Sequence, residues 1–84
     1  MKPIVLTTHA EIVATERELQ RDWIERVART PEWVEPDKGS ANLDRRFGTV
    51  PERESRSLRV VCEETDTEIR VITVFLDRKA KKPA

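Results

Sequence analysis

Residues 57–78 read SLRVVCEETDTEIRVITVFLDR and predict two adjoining β-strands with the turn between them. Polar residues at 65–68 separate two runs rich in β-branched side chains, as expected for a hairpin. Folding the chain back at this turn places Cys62 opposite Val71. The further predicted pairs are Val60 with Thr73 and Leu58 with Phe75. One face of the hairpin is then almost entirely apolar, so it must pack against another part of the chain.

The opposite face of the hairpin mixes charged and apolar side chains. Its apolar members are Val61, Ile72 and Val74, and its charged members are Arg59, Glu63 and Arg70. This face is too apolar to be only solvated and too charged to be an ordinary core. We therefore expect the function of the protein to lie on this mixed face.

Composition limits the class of protein. The 84 residues suffice for one domain, and 16 basic and 16 acidic residues cancel to a net charge of zero. The chain therefore lacks a global basic signal for nucleic acid. Residues 40–84 nevertheless carry ten basic and eight acidic residues, which makes them the more plausible anion-binding half. With one cysteine and one histidine, we expect no intrachain disulfide, no metal site and no cofactor.

Neither a membrane span nor a signal peptide is predicted. The sequence has no apolar run of the length that crosses a bilayer, and its N-terminus lacks an apolar stretch preceded by basic residues. We therefore expect a cytoplasmic protein with no membrane partner.

The first part of the chain predicts a strand followed by two helices. Residues 3–7 are suited to a short strand, and Thr8-His9-Ala10-Glu11 has the pattern of a capping box that opens a helix at Thr8. The spacing of apolar residues indicates two helices with a bend near Arg17 and Glu18. Pro31 ends the second helix because it restricts the residue before it.

Residues 43–50 form one more extended segment, which a polar connection over 51–56 joins to the hairpin. The predicted order is β-α-α-β-β-β, with an antiparallel sheet and two helices packed on one face. This is a two-layer α+β fold. It occupies residues 1–78 as a single domain and leaves a basic flexible tail over 79–84.

Four segments of the sequence resemble a known family. They are LTTHAEIV at 6–13, WIERVARTPEWV at 23–34, LRVVCEE at 58–64 and IRVITVFLDRKAKK at 69–82. Together they resemble the small domains grouped with the RelE/ParE-like and BrnT-like toxins. The resemblance implies a toxin fold whose best-known members cut RNA on the ribosome without a metal and are neutralised by an antitoxin segment.

Cleavage of RNA without a metal requires a base, an acid and cations near the phosphate. His9 is the only side chain of this sequence that ordinarily titrates near neutral pH, so His9 and Arg59 are the candidate catalytic residues. The alternative for His9 is a structural residue whose ring packs on the strand or caps a backbone group. The absence of tyrosine counts against catalysis, because many proteins of the resembling family are thought to use one.

Arginines of the mixed face are the candidate RNA contacts. Pairing residues 43–50 with the hairpin puts Arg46 beside Val61, on the face of Arg59 and Arg70, and a slip of one residue would exchange Arg46 for Arg45. The predicted RNA-binding residues are Arg45, Arg46, Arg70, Arg78 and Lys79. The alternative is cross-strand ion pairing, above all of Arg70 with Glu63.

The remaining distinctive side chains are given mostly structural roles. Trp23 lies on the apolar side of its helix and is expected in the core, whereas Trp33, beyond Pro31, is open to either packing or base stacking. Cys62 is expected to be a small buried hydrophobe.

Two functional hypotheses follow. The first is a toxin-fold protein that binds RNA or the ribosome. It is a candidate metal-independent endoribonuclease, and an antitoxin-like protein is its candidate partner. The second is a non-catalytic interaction module whose mixed face buries a partner segment or mediates self-association. The neutral net charge favours the second hypothesis, and the family resemblance favours the first.

Overall fold

The computed structural model describes residues 1–83 and contains two helices and one five-stranded sheet. The elements are β1 (Ile4–Leu6), α1 (Thr8–Glu16), α2 (Arg21–Arg29), β2 (Trp33–Pro36), β3 (Asp44–Val50), β4 (Arg56–Glu64) and β5 (Ile69–Leu76). The strands lie in the order β1-β5-β4-β3-β2. The α+β fold class, with both helices on one face of the sheet, is confirmed.

The sheet contains one more strand than predicted and is mixed rather than fully antiparallel. The short strand β2 pairs antiparallel with β3 at one edge. The sequence predicts no strand here, because a run of four residues that ends in Pro36 is too short to give a clear strand pattern. At the other edge β1 pairs parallel with β5, since the chain returns from β1 through the helices and the other strands.

The hairpin of β4 and β5 forms as predicted at its turn but not along its whole length. Cys62 pairs with Val71, which confirms the predicted register at that point. Beyond it the register shifts by one residue, so Val60 pairs with Val74 and Leu58 with Leu76. The predicted pairs of Val60 with Thr73 and of Leu58 with Phe75 are therefore wrong. The cause is a bulge at Ile72, an extra residue that the opposite strand does not match.

The core lies between the helices and one face of the sheet. The strand residues Leu58, Val60, Cys62 and Val71 are all fully buried there, as predicted. Val74 replaces Phe75 on this face because of the bulge. The helices contribute the buried residues Ala10 and Ala14 from α1, and Trp23, Ile24, Val27 and Ala28 from α2. Trp23 is therefore a core residue, as expected.

The helix boundaries follow local chemistry. The helix α1 begins at Thr8 as predicted, but its N-cap is Thr7, whose Oγ1 accepts a hydrogen bond from the backbone N–H of Ala10 at 3.1 Å. The predicted bend is present, and it places Glu18 in the left-handed region at φ 55°. The second helix ends at Arg29, just before Pro31, as predicted.

The boundary between the domain and the tail stays a prediction. Arg78 and Lys79 lie two and three residues beyond the end of β5 and are exposed. Ala84, the last residue of the predicted tail, lies outside the described residues.

Candidate nucleic-acid interface

The second face of the sheet, opposite the helices, carries a row of aromatic and arginine side chains. Trp33, Phe47, Arg59 and Phe75 are register partners on four neighbouring strands. The rings of Trp33 and Phe47 stack with centroids 4.8 Å apart and planes within 1°. The guanidinium of Arg59 lies between the rings of Phe47 and Phe75, at 5.9 Å and 4.0 Å from their centroids. We call these four side chains the aromatic row.

Arg59, a predicted catalytic residue, is held firmly within the aromatic row. Its Nη2 lies 3.0 Å from a carboxylate oxygen of Asp77, and its side chain is 18% exposed. Its Nε is buried without a hydrogen-bond partner among the described residues. Two aromatic rings and a carboxylate therefore already contact this guanidinium, which leaves few of its N–H groups available to bind a phosphate. A catalytic role for Arg59 stays a prediction.

Two other predicted RNA-binding arginines lie on the second face, and both are ion-paired. The Nε of Arg45 lies 3.2 Å from Asp37. Arg70 pairs with Glu68 at 3.0 Å and with Glu63 at 3.5 Å, so the cross-strand pair that was the alternative interpretation is present. The Arg70 pairs are largely exposed and the Arg45 pair is partly buried, and all of them neutralise positive charge on the second face.

Arg46 lies on the wrong face for the predicted RNA contact. It pairs with Val60 rather than Val61, so the one-residue slip is realised and Arg45 takes the outward position. Arg46 is 8% exposed, and its Nη1 donates to the carbonyl oxygen of Ala28 at 2.7 Å.

Two carboxylates complete the environment of Arg46. The carboxylates of Asp44 and Glu64 each accept a hydrogen bond from it at 2.8 Å. Burial alone would lower the pKa of Arg46, but these hydrogen bonds outweigh burial and raise the pKa. Arg46 is thus a paired core residue.

His9 is exposed in the first turn of α1, and its hydrogen-bond partner among the described residues is a threonine of β5. Its Nε2 lies 3.3 Å from the hydroxyl of Thr73 on the neighbouring strand β5. Within residues 1–83, His9 has no hydrogen bond to an arginine. The nearest arginine along α1 is Arg17, eight residues further on and therefore about 12 Å along the helix axis. His9 as proton carrier stays a prediction.

The arginines without carboxylate partners converge elsewhere. Six of the eleven arginines form ion pairs within residues 1–83. Of the other five, Arg29 donates to the carbonyl oxygen of Lys2 at 2.9 Å. The remaining four line one depression of about 160 Å³, beside the side chain of Leu76. We call these four residues the arginine cluster: Arg17, Arg53, Arg56 and Arg78.

Four separate chain segments build the arginine cluster. Arg17 caps the end of α1, and Arg53 lies in a short 3-10 turn, Pro51–Arg53, between β3 and β4. Arg56 opens β4, and Arg78 follows the end of β5. These segments meet because β4 starts where the antiparallel strand β5 ends, and α1 also ends there.

The connection between β3 and β4 contacts the C-terminal end of α1 through Arg53, a member of the arginine cluster. Arg53 points its Nη1 at the carbonyl oxygens of Arg17 and Glu18, at 3.4 Å and 3.3 Å. Carbonyls at a helix C-terminus lack intrahelical donors, so Arg53 satisfies them. Glu54 and Ser55 then turn the chain into β4 with positive φ angles of 61° and 57°.

Sequence reasoning found only Arg78 of this cluster. Arg17 was interpreted as part of a bend, and residues 53 and 56 as part of a polar connection. No regular spacing links the four positions, so the signal exists only in the folded chain. What the cluster can do chemically is bind an oxyanion, because guanidinium groups donate paired hydrogen bonds to phosphate or carboxylate.

The basic segment after β5 extends the positive surface. Lys79 is exposed next to Arg78. The pKa of Glu32 is lowered mainly by hydrogen bonds from the backbone and side chain of Thr49, and the charge of Lys82 lowers it further. Lys81 and Lys82, further along this segment, are also exposed.

Three further predictions concern Cys62, a metal site and a membrane span. Cys62 is fully buried as expected, and burial raises the pKa of its thiol to about 12. Within residues 1–83, three or more histidine, cysteine or carboxylate side chains nowhere come together as metal ligands would. Neither helix in the described part of the chain has the length and apolarity needed to cross a bilayer.

Comparison with known proteins identifies a family without an assigned activity. No curated protein and no solved structure matches the chain. One family model, described as a domain of unknown function (DUF4258), matches residues 6–76, which include both helices and all but the first two residues of the strands. The chain therefore belongs to the DUF4258 family.

Proposed function

We propose that this domain binds RNA through the arginine cluster. The observation that carries the proposal is the sorting of charge: in a chain of zero net charge, four guanidinium groups without carboxylate partners in residues 1–83 line one depression. Arg17 and Arg78 are exposed, and Arg53 and Arg56 are half-buried. Holding four cations together costs free energy by mutual repulsion, and a bound polyanion offsets that cost.

RNA fits the cluster better than a single carboxylate does. A guanidinium matches the geometry of a phosphate, and several guanidiniums in a row match a repeating phosphate chain. The exposed lysines Lys79, Lys81 and Lys82 continue the same surface. The resemblance to RelE/ParE-like toxins supports RNA, or RNA of the ribosome, as the source of that phosphate chain.

The toxin hypothesis adds cleavage of the bound RNA without a metal. The arginine cluster contains no group that titrates near neutral pH, so a proton carrier must come from elsewhere. A strand that follows α1 from Arg17 reaches His9 after about 12 Å. His9→Gln should abolish cleavage of RNA by translating ribosomes while leaving RNA binding and folding intact, and unchanged cleavage would remove His9 from the mechanism.

The test of binding compares two double variants of equal charge. Arg56→Gln with Arg78→Gln removes two members of the cluster, and Arg45→Gln with Arg70→Gln removes two ion-paired arginines of the second face. Fluorescence anisotropy with a labelled single-stranded RNA should show about a tenfold weaker affinity for the first variant, since each lost charged hydrogen bond weakens binding. The control should bind within about twofold of the wild type. Equal losses in both variants would contradict the assignment.

A second candidate function, self-association, rests on the edge strand β2. This strand pairs only with β3, and Val34 on it is 51% exposed. An unprotected edge with an exposed apolar side chain is a template for pairing with a second copy of the chain. Analytical ultracentrifugation should then show a concentration-dependent dimer that Val34→Lys abolishes, whereas a monomer at all concentrations would exclude this function.

A further inference from the structure

We infer that the arginine cluster binds a terminal phosphate group, at one end of an RNA chain, in preference to an internal phosphate. The inference rests on the proposed function and adds which part of the RNA the cluster takes. Three features of the structure support it: the size of the depression, the arrangement of the arginines around it, and the backbone conformation of the segments that carry them.

The depression has room for about one phosphate group. Its volume of about 160 Å³ equals that of about five water molecules in the liquid. A phosphate group with its four oxygens fits such a space, whereas cavities that enclose a whole small-molecule ligand measure about 300 Å³ or more. Among the described residues only Leu76 joins the four arginines in lining it, so no carboxylate there competes with a bound anion.

A terminal phosphate matches four surrounding arginines better than an internal phosphate does. An internal phosphate carries one negative charge, and two of its oxygens are bonded to carbon. A terminal phosphate carries a charge of about −1.5 to −2 at pH 7 and presents three oxygens that accept strong hydrogen bonds. The mutual repulsion of the arginines is offset best by the group with more charge in the same volume, which is the terminal phosphate.

The arginines form an inner and an outer pair. Arg53 and Arg56, the inner pair, are half-buried, and Arg17 and Arg78, the outer pair, are exposed. Half-buried side chains have less freedom to move into solvent, so the inner pair can hold one phosphate in a fixed place. The outer pair is free to contact the next phosphate along the chain, and all four arginines then contact RNA.

The end of α1 holds Arg53 in position. Its Nη1 points at the carbonyl oxygens of Arg17 and Glu18, at 3.4 Å and 3.3 Å. These carbonyls carry the partial negative charge of a helix C-terminus, which would repel an anion, and the guanidinium of Arg53 offsets it. The contacts use Nη1, so Nε and Nη2 can donate two parallel hydrogen bonds to a phosphate.

The backbone beside these arginines adopts conformations that favour glycine. Within residues 1–83 the positive φ angles belong to Glu18, Glu54 and Ser55, at 55°, 61° and 57°. Each of these residues is adjacent in sequence to a member of the arginine cluster. Backbone of this kind costs free energy and is concentrated at ligand-binding sites, where it fixes the binding groups before the ligand arrives.

Oligonucleotides that differ only at one end test the inference. The probes are single-stranded RNAs of about eight nucleotides with a fluorescent label at one end and either a phosphate or a hydroxyl at the other. One pair varies the 5′ end and a second pair varies the 3′ end, which distinguishes the two sources of a terminal phosphate. Anisotropy titrations at neutral pH should show about tenfold tighter binding of the phosphate-ended RNA in at least one pair, because it accepts additional charged hydrogen bonds.

This preference should depend on pH, because the terminal phosphate itself titrates with a second pKa of about 6. As the pH falls through this value the phosphate loses negative charge, so the ratio of the two affinities should decline. The arginines stay protonated throughout. His9 and the carboxylates of the surrounding segments act on both RNAs alike, so the ratio reports the phosphate. Those carboxylates are Glu16, Glu18, Glu52, Glu54 and Asp77.

Two matched variants test which arginines bind the chain end. Arg56→Lys keeps the charge of the inner pair but cannot donate two parallel hydrogen bonds, so the preference should fall below about threefold. Arg78→Lys makes the same change in the outer pair and should keep the preference. Thermal unfolding of both variants reports whether the fold is intact, and the wild-type comparison of the two chain ends needs neither variant.

The outcomes separate this inference from the proposed function. Equal affinity for phosphate-ended and hydroxyl-ended RNA, with binding that still depends on Arg56 and Arg78, would overturn this inference while the proposed function stands. A preference that Arg56→Lys retains in full would place the terminal phosphate away from the inner pair and would also overturn it. No binding of any of these RNAs would overturn both.

Discussion

Arg46 shows at the scale of one residue how a charged side chain becomes part of a small core. It lies under α2, where it donates to the carbonyl oxygen of Ala28 and to the carboxylates of Asp44 and Glu64. Removing the guanidinium leaves the carbonyl oxygen of Ala28 and the carboxylate of Asp44 without this donor, while Glu64 keeps its ion pair with Lys2. The same charge that sequence reasoning assigned to RNA binding therefore stabilises the fold.

Arg46→Ala should lower the free energy of unfolding by about 3 kcal/mol, because it leaves the carbonyl oxygen of Ala28 and the partly shielded carboxylate of Asp44 without a partner. Arg46→Met should cost less, since it fills the space left by the side chain. Urea unfolding followed by circular dichroism measures both. Arg45→Ala breaks one partly buried ion pair and leaves no buried carbonyl without a donor, so it should cost only about 1 kcal/mol. Equal losses for Arg45 and Arg46 would refute the assignment of Arg46 to the core.

At the scale of elements, the close approach of α2 to β3 depends on Gly48. A Cβ atom added at this glycine would lie 2.9 Å from Cγ2 of Val27, which is itself buried in the core. The backbone at Gly48 has an ordinary negative φ, so the requirement is space and not backbone conformation.

Gly48→Ala should therefore destabilise the protein by about 1–3 kcal/mol through overpacking. The double variant Gly48→Ala with Val27→Ala makes room for the new methyl group. Its free energy of unfolding should exceed the value expected from adding the two single losses. Simple additivity of the two losses in urea unfolding would show that the two side chains do not meet.

The elements also show which parts of the fold are readable in the sequence. The turn at 65–68 and the apolar runs around it predict the hairpin, and Pro31 predicts the end of α2. The bulge at Ile72 escapes prediction because a distant contact accompanies it: Thr7, the N-cap of α1, donates its hydroxyl hydrogen to the carbonyl oxygen of Ile72 at 3.1 Å. One shifted residue then moves Phe75 into the aromatic row and Val74 into the core.

The candidate site is harder to predict from the sequence than the fold, because it too depends on contacts between distant segments of the chain. The arginine cluster joins the end of α1, the connection before β4 and the end of β5, and no short-range pattern connects these positions. The sheet arginines had a pattern, but their carboxylate partners neutralise them. Distinguishing paired from unpaired arginines requires the folded chain.

At the scale of the whole molecule, ion pairs make stability depend on pH. The pKa of Glu64 is lowered by its hydrogen bonds to Lys2 and Arg46, and the pKa of Glu52 is lowered chiefly by its hydrogen bond to Arg26. A carboxylate whose pKa is lower in the folded state stabilises the fold above its unfolded value, which is 4.5 for a glutamate. That stabilisation is lost as the pH falls through the lower folded value.

The free energy of unfolding should therefore decrease as the pH is lowered below 4.5. Urea unfolding at pH values on either side of this value measures the decrease. In Glu64→Gln the decrease should be smaller, because one of the contributing carboxylates is gone. A free energy of unfolding that stays constant from neutral pH to well below 4.5 would show that these ion pairs do not stabilise the fold.

The proposal that RNA binds on the arginine cluster is tested most directly by the dependence of RNA affinity on salt. Four phosphate contacts to a single strand predict that the logarithm of the association constant falls with the logarithm of salt concentration with a slope of about −3. The variant with Arg56→Gln and Arg78→Gln should show about half that slope, and the variant with Arg45→Gln and Arg70→Gln should keep the wild-type slope. A wild-type slope near zero, or the same slope in the cluster variant as in the wild type, would contradict the proposal.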